Sequence, residues 1–169
     1  MTAPHKPQDY LRQGRRDRLI RELEHDPYHS KRKYEEPTVC PECGAVFHEG
    51  RWTWMAEPPE NAHRHLCPAC QRVRDRVPAA FLTIRGPVLE THKDEILHLI
   101  RNYEKREQAE HPLKRIMDIE EQEDGLVITF TDAHLARGVG EALDHAHKGG
   151  ELDYQYTKDD IMLRVTWTR

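Results

Sequence analysis

No apolar run in this chain approaches the ~20 residues that a helix needs to cross a bilayer. The N-terminal stretch Met1-Thr2-Ala3-Pro4-His5-Lys6-Pro7 lacks the apolar segment of a secretory signal. Both absences predict a soluble cytoplasmic protein with no membrane partner. Apolar residues are scarce overall, at 37% against 33% charged, and mean hydropathy is −0.90. A modest core is therefore expected over part of the 169 residues only. That length suits one domain or two small ones, since domains commonly run ~100–150 residues.

Signatures of catalysis are missing as well. No Gly-rich loop is placed to cradle a phosphate: Arg137-Gly138-Val139-Gly140 lies within a helical pattern, where Gly140 permits close packing. No Ser or Thr sits in a nucleophile motif, and there is no His-Glu-x-x-His. The pairs His63-Arg64-His65 and His145-Ala146-His147 have no cysteine or carboxylate at a familiar ligand spacing and read as solvated surface. These absences predict a protein that is not an enzyme and takes no small-molecule substrate.

Cysteine is rare but fully organised. All four residues fall into two Cys-Pro-x-Cys clips, Cys40-Pro41-Glu42-Cys43 and Cys67-Pro68-Ala69-Cys70. Two thiolates on one tight turn aim at a single ion, and two such turns supply the four soft ligands of a tetrahedral site. Gly44 follows the first clip and is free to take the left-handed conformation that closes such a knuckle. The spacing predicts one structural zinc ion on Cys40, Cys43, Cys67 and Cys70. Four thiolates leave no position for a reacting water. Iron is the competing ion, because the same knuckles serve rubredoxin-like electron carriers.

Charge is unevenly spread along the chain, whose net charge is −4. Residues 1–34 carry +4, residues 35–70 carry −4, residues 71–86 carry +3 and residues 87–169 carry −7. The first basic island holds Arg12, Arg15, Arg16, Arg18 and Arg21, then Lys31, Arg32 and Lys33, with Tyr10, Tyr28 and Tyr34 placed to stack on bases. The second holds Arg72, Arg74, Arg76 and Arg85. Both are where the phosphates of a nucleic-acid partner would land.

The pattern predicts an α+β protein in three parts. Residues 1–38 form a flexible basic arm with one short helix between Asp9 and Glu24. Residues 39–86 form a four-cysteine zinc ribbon and linker, with strands at 45–47 and 51–55. Trp52 and Trp54 share one face there, either roofing the metal or forming an exposed stacking surface. A short helix from Pro68 to Val77 turns Val73 and Val77 inward and Arg72, Arg74 and Arg76 mostly outward. Residues 87–169 read as αββαββ: a helix from Thr91 to about Glu110, strands at 115–121 and 126–131, a helix capped by Thr131 or Asp132, and two last strands. Four mainly antiparallel strands with two helices on one face result.

Residues 37–44, the Trp52/Trp54 strand and the second clip resemble a small bacterial zinc-protein family. That family is in turn similar to the N-terminal part of the large-ribosomal-subunit export adaptor of eukaryotes and archaea. The resemblance covers roughly residues 37–169. It implies a zinc module followed by a small α/β domain that binds the ribosome, without catalysis. The chain has two clips where the adaptor has more and lacks its long C-terminal extension, so an export role is not carried over. The expected function is ribosome binding through ribosomal RNA, with ribosomal-protein contacts, as a stress or hibernation factor. The alternatives are a protein-interaction or regulatory adaptor and, last, the electron carrier.

Overall fold

A computed structural model describes Tyr28, residues 34–157 and residues 162–169. The predicted contacts at Arg12, Arg15, Arg16, Arg18, Arg21, Lys31, Arg32 and Lys33 lie outside these residues, as does the predicted helix between Asp9 and Glu24.

The clip region builds a small sheet. Strand β1 (Thr38–Val39) pairs antiparallel with β2 (Val46–His48) and parallel with β4 (His63–Arg64), and β3 (Arg51–Thr53) extends the edge beyond β2. Glu49 and Gly50 join β2 to β3, both at positive φ, as the twist of a two-residue hairpin turn demands. The Glu36 carboxylate accepts both turn N–H groups, at 3.2 and 2.7 Å. The second clip opens helix α1 (Pro68–Asp75), which is closed by Arg76 in the left-handed conformation.

The rest of the chain forms a larger sheet and its cover. Strand β5 (Ala80–Arg85) is followed by α2 (Val88–Glu110), β6 (Ile116–Gln122), β7 (Gly125–Phe130), α3 (Ala133–Ala146), β8 (Glu151–Tyr156) and β9 (Leu163–Thr168). The strand order is β6-β7-β5-β9-β8. Leu82 and Ile84 of β5, Ile128 and Phe130 of β7, and Val165 and Trp167 of β9 pack in one core with Ile96 and Ile100 of α2 and Val139 and Leu143 of α3. Both helices thus cover the same face.

Mixed α and β structure and the grouping of the clips match expectation; the sheet does not. It has five strands, because Ala80–Arg85, read as linker, is its central strand. Pro78 and Gly86-Pro87 bracket a six-residue alternation that is short enough to pass for a connection. The β5–β9 pair is parallel, so the sheet is mixed. Helix α2 starts at Val88 rather than Thr91, because Pro87 supplies a helical φ for the first turn. The predicted start falls where the helix kinks at His92. A bulge between Ile116 and Asp118 shifts the register of β6, and Ile116 and Ile119, three apart, both reach the core.

Helix α1 is turned the other way round from expectation. Val73 and Val77 are 44% and 41% exposed, whereas Arg72 is 9% exposed. The Arg72 guanidinium lies 4.5 Å from the Tyr28 ring centre and donates to the Val77 carbonyl at 3.2 Å. Tyr28 in turn donates to Asp75 at 2.8 Å. A cation stacked on an aromatic face and hydrogen-bonded to backbone displaces the valines from the inner side.

Candidate metal centre

The two clips reach the same point by different local routes. In the first, Cys40 N–H donates to the Ala45 carbonyl at 2.8 Å and Gly44 N–H to the Cys40 carbonyl at 3.0 Å. Gly44 sits at φ 80° with no atom within 4 Å of where a Cβ would lie, so backbone conformation rather than space requires glycine. In the second, Cys67 is the N-cap of α1, Pro68 occupies the first helical position, and the Cys67 sulfur accepts the Cys70 N–H at 3.3 Å. The motif is therefore a helix start as well as a ligand pair.

The four sulfurs lie within 4.8 Å of one another, close enough to hold a metal ion. Cys40, Cys67 and Cys70 are buried and Cys43 is half-buried. Trp52, Leu66 and Leu113 pack around them. Above Trp52, Tyr34 meets Phe47, Trp52 and His65 edge-on at 5.1 to 5.2 Å between ring centres. Trp52 and Tyr34 are thus used as cover for the centre. Trp54 is 38% exposed and donates its indole N–H to the Gln108 carbonyl of α2 at 2.7 Å, tying the clip region to the larger sheet domain. Close-packed soft sulfur donors under an apolar roof suit a thiophilic ion, which the sulfurs would hold as thiolates.

Sequence reasoning missed Arg115. From the loop between α2 and β6, its two terminal nitrogens donate to Cys70 Sγ at 3.2 Å and Cys67 Sγ at 3.3 Å. Its Nε donates to the Pro112 carbonyl at 3.0 Å. Burial disfavours the guanidinium charge, but the hydrogen bond to Cys70 and the neighbouring thiolates outweigh that, and its pKa is raised. Burial pushes the Cys67 and Cys70 thiols up, against the opposing pull of Arg115. Burial also acts to raise Cys40, but N–H groups at Cys43, Cys67 and Glu42 prevail and bring it to about 7. Arg115 stands 45 residues beyond the second clip, and no spacing rule connects them. Only the fold does.

Of the predicted phosphate contacts, the described residues include Arg72, Arg74, Arg76 and Arg85, each in a different setting. Arg72 is inward, as described. Arg74 pairs with Glu42 of the first clip. Arg76 is exposed at the end of α1. Arg85, at the end of β5, reaches Asp124 at 3.3 Å. His63 pairs with Glu35 at 3.0 Å, and the His147 ring lies between those of His92 and Trp167. No helix among the described residues is long and apolar enough to cross a membrane. Comparison of the chain with protein-family models and with curated proteins finds no match to either.

Proposed function

We propose that this chain is a non-enzymatic zinc-ribbon protein that binds the ribosome through ribosomal RNA, as a stress or hibernation factor. The observation that carries this reading is that a metal ligand, Cys67, is also the cap of the helix bearing Arg74 and Arg76. One zinc ion held by Cys40, Cys43, Cys67 and Cys70 would fix that helix against the first clip, and four thiolates leave the ion no open position for chemistry. Arg74, Arg76 and Arg85 are the contacts toward phosphate; exposed pairs such as Arg74–Glu42 hold so weakly that a phosphate replaces the carboxylate readily. Arg72 supports the helix from within. The resemblance to the small bacterial zinc-protein family, itself similar to the N-terminal part of the large-ribosomal-subunit export adaptor, supports the same reading.

Co-sedimentation with ribosomes tests the reading. Binding is expected to weaken as salt rises, and the double substitution Arg74→Ala/Arg76→Ala lowers the salt slope by about 1 for each phosphate no longer neutralised. Deleting residues 1–34 weakens it further. Co-sedimentation that survives high salt, the double substitution and the deletion unchanged contradicts the proposal.

A second reading, a protein-interaction adaptor, draws on the exposed pair Val73 and Val77 beside the same arginines. It predicts one protein partner retained after ribonuclease treatment, where the first reading predicts release. The electron-carrier reading requires a coloured iron protein.

A further inference from the structure

We infer that Arg115 is a positioning residue of the metal centre, supplied by the larger sheet domain to hold two of the four sulfurs and balance their charge. The inference rests on the reading of the clips as a metal site and goes beyond it, since it makes that site the product of both parts of the fold.

A tetrathiolate holding a divalent ion carries a formal charge of −2, and with three of the four cysteines buried uncompensated charge is costly. Arg115 is placed to halve it. Its planar fork gives one N–H to each of two sulfurs on the same clip, at 3.2 and 3.3 Å, a geometry that a lysine ammonium cannot copy. Cys67 and Cys70 are thereby held at the spacing a single ion needs. The N–H···S bonds also withdraw electron density from the two sulfurs, which makes them poorer nucleophiles and slows oxidation.

Arg115 is itself fixed. Its N–H donates to Thr131 Oγ1 at 2.9 Å, its carbonyl accepts the Thr131 N–H at 2.9 Å, and the Thr131 hydroxyl lies 2.6 Å from the Leu113 carbonyl. Thr131 is 7% exposed at the end of β7, and Leu113 touches the cysteine cluster. The loop thus carries a clamped cation from the edge of the large sheet to the sulfurs. Among the described residues, no buried side-chain nitrogen or oxygen in this network lacks a hydrogen-bond partner.

The test uses the full chain under reducing conditions, loaded with Co²⁺ so that the sulfur-to-metal charge-transfer bands report the sulfurs directly. Wild type, Arg115→Met, Arg115→Lys and Thr131→Val are titrated with a competing chelator, and far-UV circular dichroism follows the fold. Arg115→Met is expected to give up the ion about 10–100-fold more readily, the range for loss of an outer partner of a ligand, with displaced bands. Arg115→Lys, which reaches one sulfur, recovers part of the affinity and part of the band position. Thr131→Val keeps the shape and moves both in the same direction by less. Should Arg115→Met fail to fold, Arg115→Lys carries the measurement. Bands and affinity equal to wild type in the folded Arg115 variants overturn the inference and leave the metal site standing. A wild type that shows no tetrathiolate Co²⁺ spectrum overturns both.

Discussion

At Cys67 one sulfur accepts the Cys70 N–H, receives Arg115 and faces the other three sulfurs. Pro68 sets the first turn of α1, and the sulfur that caps it is also one of the four that could hold a metal ion. Asp132 is the ordinary counterpart: its carboxylate accepts the Leu135 N–H at 2.9 Å at the start of α3. Asp132→Ala is expected to lower stability by about 1 kcal/mol, read as a shifted denaturant midpoint at constant slope. The Glu107 carboxylate, 2.9 Å from Lys114, shows the sign of a pH effect. The hydrogen bond from Lys114 depresses its pKa against the opposing effect of burial. The stabilisation is therefore complete above the unfolded carboxylate value of about 4.3 and is lost as pH falls through the depressed value. Lys114→Met is expected to raise the Glu107 midpoint in a carboxylate NMR titration and to remove less than about 1 kcal/mol at neutral pH. A midpoint that stays in place contradicts the assignment.

Among the elements, β5 carries the most structure for its length. Leu82 at its middle is fully buried between β7 and β9, and Leu82→Ala is expected to cost about 2–5 kcal/mol by chemical denaturation. Gly86 ends the strand at φ 105°, and a Cβ there would lie 2.2 Å from the Arg169 carbonyl oxygen. That carbonyl accepts the Val88 N–H and the Arg169 N–H returns to Arg85, so the corner cannot move freely. Gly86→Ala should destabilise by more than ~1 kcal/mol; a neutral result in the same assay refutes the tight corner. The clips, the two long helices and the 3.6-residue stripe of α3 were legible because each is written in a short window. Strand β5 was not, since its six residues acquire meaning only from β7 and β9, which lie far along the chain. The inward turn of Arg72 was equally hidden. Periodicity favours valine inside, whereas the Tyr28 ring and the Val77 carbonyl favour the arginine there. Arg115 reads in the sequence as the start of a strand for the same reason: its partners are set by the fold.

At the scale of the molecule, the described residues form two cores of different origin. The larger is apolar and closes over the five-stranded sheet. The smaller consists of cysteines, two alanines and a few neighbours, too little to stand alone at ordinary hydrophobic strengths. Its stability is expected to come from the ion, and it is joined to the larger core through Leu113, Arg115 and the Trp54–Gln108 hydrogen bond. Chelation should therefore expose residues 38–76 to protease while the sheet domain survives, and the four thiols should become reactive together. Metal analysis of the purified native chain, coupled to nuclear magnetic resonance spectra before and after chelation, decides whether the smaller core is built on an ion. One zinc per chain is expected, with amide resonances of the clip region and of Arg115 lost or shifted on chelation and those of β5, β7 and β9 kept. A chain that binds no metal under reducing conditions, or one whose clip resonances are unmoved when zinc is removed, would contradict it.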